Sequence, residues 1–191
     1  MSHLFSENIE ILSSGRSERR EEQPLLEVTN RQIVRKADDL CRLALTATGK
    51  AIEQLNFRLS ENTGVIMATR YGPTRTTRKY LEETKQYGPE LASAFLFPST
   101  VPNLLSGTIS LAYKLKGPSS TIIGGIDDAF EIAALILSAG RADIMIAGYA
   151  DDSNGVLPGV ELLSFKDGAE VYVLTKRLNS ASHSLAMPAQ E

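Results

Sequence analysis

Apolar positions along this chain fall into two rhythms, a helical spacing and short unbroken runs. The clearest helical rhythm spans residues 31–55. There Ile33, Ala37, Leu40, Ala44, Ala47, Ala51 and Leu55 line one face, and Asn30 stands where an N-cap would. Residues 103–114 carry Leu104, Ile109, Leu111 and Ala112 and predict a buried helix, stopped by Lys116-Gly117-Pro118. Residues 127–139 predict another helix, with Ile132, Leu135, Ile136 and Ala139 on one side. Residues 76–86 are polar and suit a surface helix. The unbroken runs read as strands: 8–13, 64–69, 120–123, 142–148 and 170–175. Residues 14–24 are polar and without periodicity, so an exposed loop is expected. Residues 180–191, rich in Ser, Ala and Pro, are expected to be a disordered tail. Strands alternate with helices, which predicts an α/β domain over residues 1–179. Its single sheet would be mixed, mainly parallel, of about five strands, and covered by helices.

Composition narrows the function classes. A net charge of −3, with both signs spread along the chain, gives no basic face for nucleic acid. The one basic cluster, Arg16 to Arg20, is interrupted by Glu18 and followed by Glu21 and Glu22, and reads as a solvated loop. No apolar run approaches the length of a membrane span, and the start lacks a basic region followed by an apolar stretch. A cytoplasmic protein that binds neither nucleic acid nor membrane is therefore expected. The single cysteine, Cys41, excludes an internal disulfide and a cysteine-rich zinc site. It adjoins Leu40 on the helical face and reads as a packing residue. The two histidines, His3 and His183, lie near the chain ends. A general base must be fixed near its substrate, so neither is a candidate and no Cys-His or Ser-His-Asp mechanism is expected.

Gly124-Gly125 precedes a helix, yet neither the Lys-Ser/Thr of a phosphate loop nor the three-glycine dinucleotide spacing follows. Asp127 and Asp128 come instead, and they would repel a phosphate. At a helix start their charge meets the positive end of the helix dipole. Asp151 and Asp152 follow a strand and are expected in a loop. The aspartates do not have calcium-loop spacing, so no metal and no cofactor is expected.

Four segments go beyond fold class. Phe97-Pro98-Ser99-Thr100-Val101-Pro102-Asn103, Gly107-Thr108-Ile109-Ser110 and Lys116-Gly117-Pro118-Ser119 form the first and closely resemble the β-ketoacyl synthase family. In that family a Pro-Asn segment opens a helix, and a Lys-Gly-Pro turn opens the strand before the nucleophile. Residues 139–148 (AGRADIMIAG) are similar to the family's GxADxMxAGG strand. Residues 35–45 (RKADDLCRLAL) are similar to its first helix, and Asp167-Gly168-Ala169 resembles its EGA segment. The resemblance runs over residues 31–178.

The resemblance implies a thiolase-like half, βαβαβαββ, whose full-length relatives contain two such halves. It places the nucleophilic cysteine at the turn after Ile123, where this chain has Gly124-Gly125-Ile126-Asp127-Asp128. Gly125 or Ile126 is nearest the lost nucleophile, and neither can carry an acyl group. The family's catalytic histidines belong to the other half. No catalytic residue is therefore expected. The reading is a non-catalytic relative, an interaction or chain-length-factor-like subunit of fatty-acid or polyketide biosynthesis. The alternatives are an acyl-carrier-dependent enzyme with altered chemistry at Asp127 or Asp128, and an acyl-chain binding module. The resemblance further implies a dimer interface along Ser119, Ser120, Thr121, Ile122 and Ile123. That edge strand would pair with its two-fold mate or with a complete ketosynthase, and an acyl carrier protein is a possible further partner. Physically, an unguarded apolar strand edge invites such pairing.

Overall fold

The computed structural model describes residues 9–18, 31–152 and 168–177. Asn8, Asn30, both histidines, Asp167 and residues 19–24 and 180–191, to which the sequence assigned roles, lie outside these. The element order is β1 (Ile9–Ser17), α1 (Arg31–Lys36), α2 (Asp39–Glu53), β2 (Gly64–Thr69), α3 (Thr74–Tyr87), α4 (Leu104–Tyr113), β3 (Ser119–Ile123), α5 (Ile126–Ser138), β4 (Ile144–Asp151) and β5 (Gly168–Lys176). Two short 3₁₀ turns, Pro89–Leu91 and Phe97–Thr100, separate α3 from α4. This is the expected βαβαβαββ order.

All five strands join one sheet in the order β1-β5-β4-β2-β3. It is evenly mixed rather than mainly parallel. β2 runs parallel to both β3 and β4, while β5 runs antiparallel to β4 and to β1.

Strand alternation sorts side chains into two cores. Val65, Met67, Ile146, Ala150 and Val171 face α2 and α4, where Leu40, Leu43, Ala44, Leu105 and Ile109 meet them. Ile66, Ala68, Met145, Ala147 and Leu174 face α5 and pack on Ala129, Phe130, Ala133 and Leu137. β2 is buried along its whole length because helices cover both its faces. Its sequence GVIMAT therefore carries no polar alternation.

Three further expectations need correction. The loop predicted from residue 14 begins later, because β1 continues to Ser17 and pairs with β5 as far as Ser17 opposite Ala169. Small residues make this possible. A Cβ on Gly15 would meet Ala47 O at 2.0 Å and Ala51 N at 2.7 Å, so the strand lies directly on the alanine face of α2. The helix predicted over residues 31–55 is two helices. Asp38 is extended and its Oδ1 accepts from Cys41 N at 2.9 Å, which caps a new helix at Asp39. Finally, β4 extends through Asp151, which was expected in a loop.

Candidate functional site

The turn from β3 into α5 is the place where the sequence put the lost nucleophile. Gly124 N donates to Thr69 O at 3.2 Å, which ties the turn to the end of β2. Gly125 is extended and caps α5, and its N–H donates to Asp128 Oδ2 at 2.7 Å. The carboxylate lies over the turn so closely that a Cβ on Gly124 would meet Asp128 Oδ2 at 2.5 Å. The chemistry of this helix start is therefore that of a cap. Asp127 and Asp128 are both exposed in its first turn. Ile126 is half-buried and packs against the α5-side core. Nothing at this turn offers a nucleophile.

Cys41 is 2% exposed, and its Sγ accepts from Thr108 Oγ1 at 3.6 Å. Burial, reinforced by the nearby Asp38 carboxylate, pushes its thiol well above the ordinary value. A thiol held neutral in this way is a poor nucleophile.

A buried acid with a raised pKa is one that the sequence reading set aside. Asp151 ends β4 and is 1% exposed. Its Oδ1 accepts from Thr69 Oγ1 at 2.7 Å, Arg70 N at 2.9 Å and Tyr71 N at 3.2 Å; Oδ2 also accepts from Arg70 N, at 3.2 Å. Thr69 Oγ1 in turn accepts from Gly72 N at 2.9 Å. Asp151 thus fixes the chain as it leaves β2. Burial raises its pKa, and the hydrogen bonds and the Arg70 charge only partly oppose this. The available signal was an aspartate closing an otherwise apolar strand, at the carboxyl end where α/β sheets place ligands.

Beside these strand ends opens a cleft of about 1080 Å3 between α1, α2, α3, α4 and residues 94–99. Ile33, Leu40, Leu96, Leu104 and Leu111 give it apolar walls; Arg35, Arg75, Lys79 and Asp152 supply charge. Gly125, Ile126, Asp127 and Asp128 do not line it. Its walls are cross-braced. Arg75 pairs with Asp39, and Thr76 Oγ1 donates to Asp38 Oδ2 at 3.1 Å, so the cap of α2 also anchors α3.

Among the described residues, β3 lies at the sheet edge and pairs only with β2. Ser119 and Ser120 are exposed, Thr121 and Ile122 half-buried, and Ile123 is 68% exposed. Thr121 Oγ1 donates to Ser106 Oγ at 3.0 Å and accepts from Ser106 N at 3.1 Å, which locks the edge to α4. Leu111 of α4 is also exposed, at 59%.

The family model for the β-ketoacyl synthase N-terminal domain matches residues 17–163. The chain belongs to the β-ketoacyl synthase family. Among curated ketosynthase relatives, the 3-oxoacyl-[acyl-carrier-protein] synthase 2 of Coxiella burnetii is 28% identical over 122 residues, which cover 60% of this chain and 30% of that protein. The synthase of the same name from Vibrio cholerae is 26% identical over 127 residues, covering 63% and 31%. The chain therefore matches less than a third of the length of these relatives. Two solved structures share the fold. One is a type II polyketide synthase acyl-carrier protein in complex with its ketosynthase bound to the hexaketide, with TM-score 0.73, 17% identity, and coverage of 89% of this chain and 62% of that one. The other is the ishigamide ketosynthase/chain length factor, with TM-score 0.73, 16% identity and coverage of 92% and 63%. The thiolase-like ketosynthase fold expected from the sequence is thus the fold of this domain. Among the described residues, no helix is long and apolar enough to cross a membrane.

Proposed function

We propose that this chain is a non-catalytic ketosynthase relative that acts as an interaction subunit, in the manner of a chain-length factor, in fatty-acid or polyketide biosynthesis in the cytoplasm. The observation that supports it is the Gly124–Asp128 turn. Where a ketosynthase is expected to hold its acyl thioester, this chain has a glycine cap, a half-buried isoleucine and a carboxylate over the turn. An acyl group has no acceptor there, and two exposed carboxylates would disfavour a thiolate nearby. Incubation with an acyl-thioester followed by intact-mass measurement should show no acylated species. Acylation at any residue other than Cys41, or turnover, would overturn the reading.

The edge strand β3 is the proposed pairing surface, through Ser119, Ser120, Thr121, Ile122 and Ile123. Its partner is a second copy or a complete ketosynthase, and an acyl carrier protein is a further candidate partner of the assembly. Ile123→Lys should abolish pairing along this edge. Co-purification with a ketosynthase that survives this change would discard the interface.

A second reading, acyl-chain binding, is favoured by the apolar walls of the cleft. Calorimetry with a fatty-acyl ligand tests it, and Leu104→Asp should remove the binding heat.

A further inference from the structure

No residue from 74 to 100 is buried, although this stretch holds α3 and both 3₁₀ turns. α3 packs on those turns. The Tyr80 ring meets the Phe97 ring with centroids 5.8 Å apart, and Thr77 Oγ1 donates to Thr100 O at 3.3 Å. The stretch therefore holds together as one piece. A piece that places nothing in the core and is held by its own contacts turns without opening the core.

Its two ends meet. Gly72 and Pro73, both buried, lead into it. Gly72 is left-handed, with φ +59°, and beyond its chain neighbours the atom closest to a Cβ there would be Pro102 Cγ, at 3.8 Å. The chain leaves the body and returns to it beside one point, as a flap on a single hinge does. The body side of that hinge is pinned. Asp151 accepts from Arg70 N and Tyr71 N, and Thr69 Oγ1 accepts from Gly72 N.

The flap forms one wall of the cleft through Arg75, Thr76, Lys79 and residues 94–96; Asp38, Asp39 and Leu40 of the body form another. Two bonds cross between these walls at the root of the flap, Arg75 to Asp39 and Thr76 to Asp38. Both members of the ion pair are exposed. Such a pair biases a two-state equilibrium by about fivefold at most, and salt screens it. We propose that residues 74–100 are a hinged lid on the cleft, turning about Gly72–Pro73 and Pro102, with Asp38 and Asp39 holding its closed angle. The lid angle sets how wide the cleft stands. It does not depend on the acyl-chain reading of the cleft, whose calorimetric test can fail while the lid still moves.

Double electron–electron resonance on the full chain, in a Cys41→Ala background, measures the lid. One protein carries spin labels at Glu53→Cys on α2 and Lys85→Cys on α3; a second carries them at Glu53→Cys and Leu91→Cys. All three positions are exposed. Each pair of labels should report a closed and an open distance. Arg75→Gln combined with Thr76→Val should raise the ratio of open to closed about fivefold in both pairs, with unchanged circular dichroism. Molar salt should act in the same direction where Arg75 is kept and add nothing once it is replaced. The salt measurement needs no substitution at the root of the flap, so it decides the matter even if the double variant misfolds. A single distance in both pairs that salt leaves unmoved would overturn the lid. So would a change seen at residue 85 and not at residue 91, which would mean that α3 frays alone.

Discussion

Acidic residues meet the carboxyl end of the sheet at two places, and they are opposites. At the end of β3, Asp127 and Asp128 stand exposed on the first turn of α5, and Asp128 does no more than cap the helix. At the end of β4, Asp151 is buried and takes hydrogen bonds from a hydroxyl and two backbone N–H groups. Acids at a helix start invite a catalytic reading, yet water and a cap bond satisfy them. The backbone folds around Asp151, whose pKa burial raises. What separates the two is desolvation, which sequence position alone does not report.

The sharpest way to break this contrast is Asp151→Ala. Removing the carboxylate leaves Thr69 Oγ1 and the N–H groups of Arg70 and Tyr71 without their acceptor in a buried site. Stability should fall by about 3 kcal/mol, read as a lowered urea midpoint. The β2–α3 turn should loosen with it, seen as faster amide exchange at Arg70, Tyr71 and Gly72. A loss under about 1 kcal/mol would mean that Asp151 is not the organiser of these strand ends.

Asp151→Asn separates charge from hydrogen bonding, because the amide oxygen can still accept the three bonds made by Oδ1. The folded-state pKa of Asp151 is raised, so the folded protein holds this proton more tightly than the unfolded chain does. Its contribution to stability is then fully present below the ordinary carboxylate pKa and is lost as pH rises through the raised folded value. In Asp151→Asn that fall should disappear, with stability at neutral pH within about 1 kcal/mol of wild type. Denaturation midpoints across the acid range read it. An unchanged pH profile would assign the titration elsewhere.

The same physics explains what the sequence disclosed. β2 and β4 were legible because strands covered on both faces must be apolar throughout, and GVIMAT and IMIAG are. The second part of β1, SSGRS, was not. Nothing in its local propensity favours a strand; pairing with β5 and the alanine face of α2 hold it. The break between α1 and α2 was hidden because Ala37 and Leu40 continue the helical apolar spacing across it and pack against the same core. Only the Asp38 cap ends the first helix, and an aspartate in a periodic run reads equally well as an exposed helix residue. At the candidate site, the turn at Gly124–Asp128 was located from its motif. The packing of Ile126 depends on the α5-side core, and the burial of Asp151 depends on strands meeting from distant parts of the chain. Neither could be read locally.

Asp128→Ala tests the weaker pole of the comparison. It removes the acceptor for Gly125 N and one charge from the positive end of α5, and should cost about 1 kcal/mol, typical of a lost cap. Thermal unfolding reads it. A cost near that of Asp151→Ala would show that the α5 start is as tightly coupled to the fold as the end of β4.

The smallest effect is expected at Asp127. Its carboxylate is exposed in the first turn of α5 and shares only the dipole interaction there, so Asp127→Ala should change stability by less than about 0.5 kcal/mol. The same substitution decides a functional question. Were Asp127 an acid or base acting on an acyl-carrier substrate, its removal would abolish turnover while leaving the fold intact. In the non-catalytic reading, wild type and variant should be alike in two assays at once. Both should show no consumption of an acyl-thioester beyond buffer, and both should retain pairing with a ketosynthase. Turnover by the wild type that Asp127→Ala removes would move this helix start from a cap to an active site, and the non-catalytic reading would fall with it.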